Sequence, residues 1–165
     1  METLQYQFED DGIIPNSVYP LVIYKNAFPY AGGLADAMEE RFAANKWANA
    51  WRNGVFPYHH YHSIAHEVLG VYAGSAVLHL GGKKGKKLEV KAGDVLVIPA
   101  GVGHKKVSAS DDFAVLGAYP DGMDYDVRMG EETDRPKADD NLARVPFPDT
   151  DPIHGPGGGI IDFWK

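Results

Sequence analysis

The residues able to do chemistry in this chain are mostly histidines, and they are bunched. Five of the seven fall in two segments. The first reads His59-His60-Tyr61-His62-Ser63-Ile64-Ala65-His66-Glu67 and closes at Gly74. The second runs from Gly93 through Pro99 and Gly101 to His104. No cysteine is present, so disulfides, thiolate nucleophiles and Cys-ligated zinc or iron–sulfur sites are excluded. Imidazoles and a carboxylate carried on strands far apart in sequence are what a small β-barrel needs to hold one metal ion. Residues i and i+2 of a strand face the same way, so His60 and His62 point together, and His59 and Tyr61 point the other way. If Glu67 faces inward on the next strand, Leu69, Val71 and Ala73 follow it, while Val68 and Tyr72 face out.

The elements that must position these groups read as short strands. Val18–Tyr24 is β-like and broken by Pro20. Leu88–Lys91 alternates apolar and polar, Val95–Ile98 and Phe113–Leu116 are β-rich runs, and Gly81–Lys87 is a solvated hairpin loop. Short strands at close spacing with Gly and Pro turns predict a β-barrel or jelly roll. One segment differs. Leu34, Ala37, Met38, Phe42, Ala43, Trp47 and Trp51 fall at near-helical spacing, with Asp36, Glu39, Glu40, Arg41 and Lys46 opposite. This predicts one amphipathic helix packed on a sheet, ending near Asn53-Gly54. Residues 121–165 are rich in Pro, Gly and Asp and irregular until the apolar end Ile160–Trp164, which is expected to dock on the barrel. Asp121, Asp124, Asp126 and Glu131 lack EF-hand spacing and read as loop chemistry.

At 165 residues, with 44% apolar content and no internal repeat, the chain is expected to form one domain, 1–165. Within it, 1–54 holds the N-terminal strands and helix, 55–120 the barrel core, and 121–165 an irregular segment packed on the barrel. The formal charge of −7 argues against nucleic acid as a partner. No apolar run approaches the roughly 20 residues that span a bilayer, and the start lacks a signal-peptide pattern. A cytoplasmic protein with a small-molecule ligand or substrate is the simplest expectation.

The two histidine segments resemble the signature motifs of the cupin superfamily. Gly54-x5-His60-x-His62-x4-Glu67-x6-Gly74 matches the first motif throughout. Gly93-x5-Pro99-x-Gly101-x2-His104 matches the second except at its last position, where Ser108 replaces Asn. With Trp51–Gly54 and Gly117–Pro120, the chain looks like a bacterial family of single-domain cupins of uncharacterised reaction. The resemblance implies an all-β fold, a single cupin-type double-stranded β-helix (jelly-roll barrel), with one N-terminal amphipathic helix. It also implies a divalent transition metal (Fe, Mn, Ni, Zn or Cu) on His60, His62, Glu67 and His104. Cupins often pair through edge strands or an N-terminal segment, so a homodimer through residues 1–30 is expected.

His66 has three readings: a ligand in place of Glu67 or His60, a group behind the ligands or proton shuttle at the mouth, or a packing histidine on the outward phase of its strand. His59, His79 and His154 are assigned structural roles. Tyr58, Tyr61 and Tyr119 are candidate substrate contacts, and each could equally be a core or rim aromatic. Two functions compete. One is a small metalloenzyme: a dioxygenase, isomerase or lyase. The other is a non-catalytic cupin that binds a metal or small molecule, as a sensor or storage module. A metallo-β-lactamase-type hydrolase is disfavoured, because the chain lacks that fold's alternating strands and helices and its later Asp-His pair.

Overall fold

The computed structural model describes residues 1–165. Nine strands form two antiparallel sheets. They are β1 (Glu2–Phe8), β2 (Ser17–Lys25), β3 (Trp47–Asn53), β4 (Glu67–Ala73), β5 (Ser75–Leu80), β6 (Lys86–Lys91), β7 (Val95–Ile98), β8 (His104–Ala109) and β9 (Ala114–Pro120). The larger sheet runs β1-β2-β7-β4-β9-β3 and the smaller β6-β5-β8. The chain passes from one sheet to the other at the β4–β5, β6–β7, β7–β8 and β8–β9 junctions. The first of these turns on Gly74, at φ 69°, where an added Cβ would strike the Ser110 and Asp112 side chains.

The two sheets face each other across a core of Leu21, Ile23, Leu69, Val71, Leu96, Ile98 and Val115 from one side and Leu78, Leu80 and Val90 from the other. They do not hydrogen-bond into a closed barrel, so the expected barrel is an open two-sheet jelly roll. The other face of the large sheet is also covered. Val22, Tyr24, Val68, Val95, Val97, Leu116 and Ala118 pack there against Met38 and Phe42 and against the C-terminal Ile160 and Trp164. A strand buried on both faces reads as an unbroken apolar run, which is why Val95–Ile98 shows no alternation.

The helix departs from expectation. It is not the N-terminal element, since β1 and β2 precede it. As α1 it spans Leu34–Ala44 only. Lys46, at φ 67°, turns the chain, and Trp47–Asn53 runs back as β3 along β9. The i, i+4 spacing of Trp47 and Trp51 imitates a helix for a specific reason. Ala48 pairs with Tyr119 and Trp51 with Gly117, so β3 carries one extra residue in a bulge containing Asn49, at φ 60°. A bulge shifts the alternation by one. It sends Trp47 into the core under α1 and Trp51 toward the space between the sheets.

The C-terminal segment holds a 3₁₀ turn, Glu132–Asp134, then α2 (Lys137–Leu142) and α3 (Ile160–Phe163). At its end Trp164 is buried and its indole N–H donates to the Pro20 carbonyl at 2.8 Å. Residues 1–25 form two strands of the large sheet, so the N-terminal region is part of the barrel wall.

Candidate metal centre

Residues 59–62 form no named strand, but two isolated bridges hold them extended. His60 pairs with His104, and Tyr61 with Arg128. Alternation therefore operates there. His60 and His62 face the interior beside His104, the first residue of β8, and one ring nitrogen from each of the three lies within 4.8 Å of the others. Tyr61 faces away, into a small cluster with Ile14 and Ala138. Glu67, the first residue of β4, enters from the facing sheet with the phase expected of it.

The outer nitrogens decide the tautomers. Nδ1 of His60 donates to the Tyr58 carbonyl at 3.0 Å, that of His62 to the Asp126 carbonyl at 2.5 Å, and that of His104 to the Val102 carbonyl at 3.1 Å. A carbonyl only accepts, so each ring, when neutral, carries its proton on Nδ1 and turns a bare Nε2 lone pair inward. This is the donor state a transition metal requires.

The Glu67 Oε1 lies 3.2 Å from His62 Nε2 and 3.5 Å from His104 Nε2. Its Oε2 accepts the Tyr119 hydroxyl at 2.7 Å, and that hydroxyl accepts the Trp51 indole N–H at 2.7 Å. Burial alone would push the Glu67 carboxyl up. The His62 charge and the hydrogen bonds from His104 and His62 outweigh it and hold the carboxyl well below the usual carboxylate range. Burial would lower His62, but Glu67 raises it on balance. His60 has no such partner at hand, and burial together with His104 drives its pKa down to about 2. Burial, then the Glu67 charge, pushes the Tyr119 phenol far up, so it stays a donor. A divalent ion entering between these groups would displace the proton that His62 shares with Glu67 and meet three imidazole nitrogens and one carboxylate, a donor set that fits a borderline metal.

Over these groups opens a cavity of about 430 Å³, walled by Trp51, Val55, Phe56, Leu69, Tyr119 and Tyr125. Trp51 can lie there because its cross-strand partner is Gly117. A Cβ at that position would sit 2.4 Å from the indole ring. Of the candidate substrate contacts, Tyr119 lines the cavity, whereas Tyr58 stacks on Phe56 outside the lining.

His66 is not among the converging nitrogens. Its ring turns to the opposite face of β4 and packs on Trp164, with centroids 4.9 Å apart, and edge-on to Tyr19. Its Nδ1 accepts the Ala100 N–H at 2.8 Å, the reverse of the tautomer found in the cluster, and burial lowers its pKa to about 4. It is the packing histidine of the outward phase. His59 meets His79 on the outer side of the small sheet, at a centroid distance of 4.8 Å.

The sequence reading missed Asp126 as an organiser. Besides its carbonyl on His62, its carboxylate accepts the Ser63 N–H at 2.6 Å and the Ser63 hydroxyl, and pairs with Arg128 at 3.0 Å. Trp51, assigned to a helix core, and Tyr125, stacked on Tyr119 at 4.4 Å, were also missed.

Comparison with known proteins gives the family. A family model described as a cupin domain matches residues 51–116. The uncharacterized protein YjlB of Bacillus subtilis (strain 168) is 47% identical over 164 residues, covering 99% of this chain and 97% of its own. The chain belongs to the cupin family. Among solved structures, this cupin is similar to an oxalate decarboxylase of Bacillus subtilis (19% identity, TM-score 0.41, 70% of this chain and 29% of that one). It is similar also to vicilin from Solanum lycopersicum (17%, 0.41, 69% and 30%). A third likeness is to a conserved protein of Klebsiella pneumoniae with a double-stranded β-helix domain (21%, 0.38, 50% and 72%). The chain spans under a third of the decarboxylase and vicilin chains. No helix of this cupin is long and apolar enough to cross a membrane.

Proposed function

We propose that His60, His62, His104 and Glu67 hold a divalent transition metal and that the cavity above it receives a small organic molecule. The observation that carries this reading is the triple fixation of Nδ1 by backbone carbonyls, which aims three Nε2 atoms at one point. Such a metal, when bound, supplies Lewis-acid polarisation of a carbonyl or enolate, or a site for oxygen. The protein's own part is to exclude water with Trp51, Phe56 and Tyr125, and to hold the proton of Tyr119 on Glu67. Our first reading of such a site is a small-molecule dioxygenase, isomerase or lyase.

A specific observation favours the second reading, a binding module without turnover. The Glu67 carboxylate is already engaged by His62, His104 and Tyr119, and the Tyr119 hydroxyl by Glu67 and Trp51. Neither is free to serve as a general acid or base. Elemental analysis of freshly purified protein, with His62→Ala and His104→Ala beside it, tests the metal. Near-stoichiometric metal in wild type and loss in both variants is the expected result; equal content in all three defeats the reading. A following oxygen-uptake and turnover screen with catechol, diketone and thiol-acid substrates separates enzyme from binding module. We also propose a cytoplasmic homodimer pairing through β1, one of the two edges of the large sheet, testable by cell fractionation and light scattering.

A further inference from the structure

The cavity's charges are unevenly committed. Arg52 at the mouth is paired with Asp36 at 2.9 Å and with Glu39 at 3.6 Å. Glu67 is neutralised within the cluster by two imidazoles and a phenol. Lys106 is different. It stands two residues after His104 on β8, so its side chain shares the face of that histidine and lines the cavity. It is half-buried and forms no ion pair. Its backbone N–H is bound to the Phe56 carbonyl at 2.9 Å, which fixes the strand beneath it. A half-buried lysine without a counter-ion, in a cavity that Trp51, Phe56, Leu69, Tyr119 and Tyr125 line beside the imidazole cluster, asks for an anion with a flat apolar body.

We infer that the ligand of this cavity is a small aromatic monocarboxylate, its carboxylate on Lys106 Nζ and its ring against the aromatic wall. The inference deepens the proposed metal-centre function by naming the ligand class, and it rests on that reading only in using the same cavity. Lys106 selects the anion, and the aromatic wall selects the body. Benzyl alcohol matches benzoate in ring and size but carries no charge, so the pair isolates the contribution of the lysine.

The test is titration of wild type, Lys106→Met and Lys106→Arg with benzoate and with benzyl alcohol, in metal-loaded and metal-free protein. Binding is read from tryptophan fluorescence, to which Trp51 in the cavity wall responds. Metal content is measured on the same samples. Wild type should bind benzoate at least about tenfold more tightly than benzyl alcohol, a preference of about 1.4 kcal/mol. Lys106→Met should bring the two ligands within about twofold, and Lys106→Arg should retain the preference. Unsaturable benzoate binding in wild type, equal affinity for the alcohol, or a preference that survives Lys106→Met each overturns the inference. The two readings fail separately. Metal-free preparations with a Lys106-dependent preference contradict only the metal centre, and full metal content with a preference insensitive to Lys106 contradicts only the ligand class.

Discussion

Acid should loosen this protein through His66, and the size of the effect can be worked out. The ring is buried against Trp164 and Tyr19, and its Nδ1 must stay bare to accept the Ala100 N–H. Protonation would remove that acceptor and strand a charge in the core, so burial holds the pKa at about 4. In the unfolded chain the same ring titrates near ~6.5. Between these values the unfolded state binds the proton and the folded state does not. The folded pKa is the lower one, so the stabilising contribution is whole above pH ~6.5 and is lost as pH falls toward 4. A shift of about 2.5 units at 1.36 kcal/mol each makes the full effect about 3 kcal/mol, with about 2.5 expressed by pH ~4.5. His60 adds to the acid sensitivity of wild type, so the measurement must be a difference. His66→Gln keeps an acceptor for Ala100 without a titrating group. Urea unfolding of both proteins, metal removed by chelator, gives the difference at pH 7.5 and 4.5. The variant should lose packing at pH 7.5 and recover about 2.5 kcal/mol relative to wild type at pH 4.5. Parallel stability curves would refute the assignment of His66 as a buried neutral imidazole.

Other perturbations follow from the site. Tyr119→Phe removes the donor to Glu67 and strands the Trp51 N–H, and should lower metal-free stability by about 2–3 kcal/mol in urea unfolding without changing the m-value. Gly117→Ala drives a Cβ into the Trp51 ring and should cost about 1–3 kcal/mol, with a changed near-UV circular dichroism signal from the displaced indole. Asp126→Ala frees Ser63 and Arg128 and loosens the loop whose carbonyl orients His62, and should weaken metal affinity by about 10–100-fold in competition titrations with a chelator.

Much of the site was legible because strand alternation is local. The spacing of His60 and His62 and the phase of Glu67, Leu69 and Val71 needed only the period of two, and the structure follows it. The helix was legible over Leu34–Ala44 and misread over Trp47–Asn53. A bulge at Asn49 gave two tryptophans helical spacing while sending them to opposite faces, and no short window distinguishes those cases. Asp126 was unreadable for another reason. Its backbone carbonyl, the part that orients His62, carries no sequence signal, and it arrives from a segment |i−j| of 64 away. Tyr125 and Lys106 likewise acquire meaning only once β8 and the 121–127 loop close over the same cavity.

The claim on which the rest depends is that one metal sits where the three imidazoles converge. Anomalous diffraction from crystals of protein purified without chelator, collected across the edge of the element found by elemental analysis, tests it directly. The expected result is a single strong peak about 2.0–2.2 Å from Nε2 of His60, His62 and His104, with a Glu67 oxygen also coordinated. No peak there, or a peak at His59 and His79 on the outer sheet instead, would contradict it.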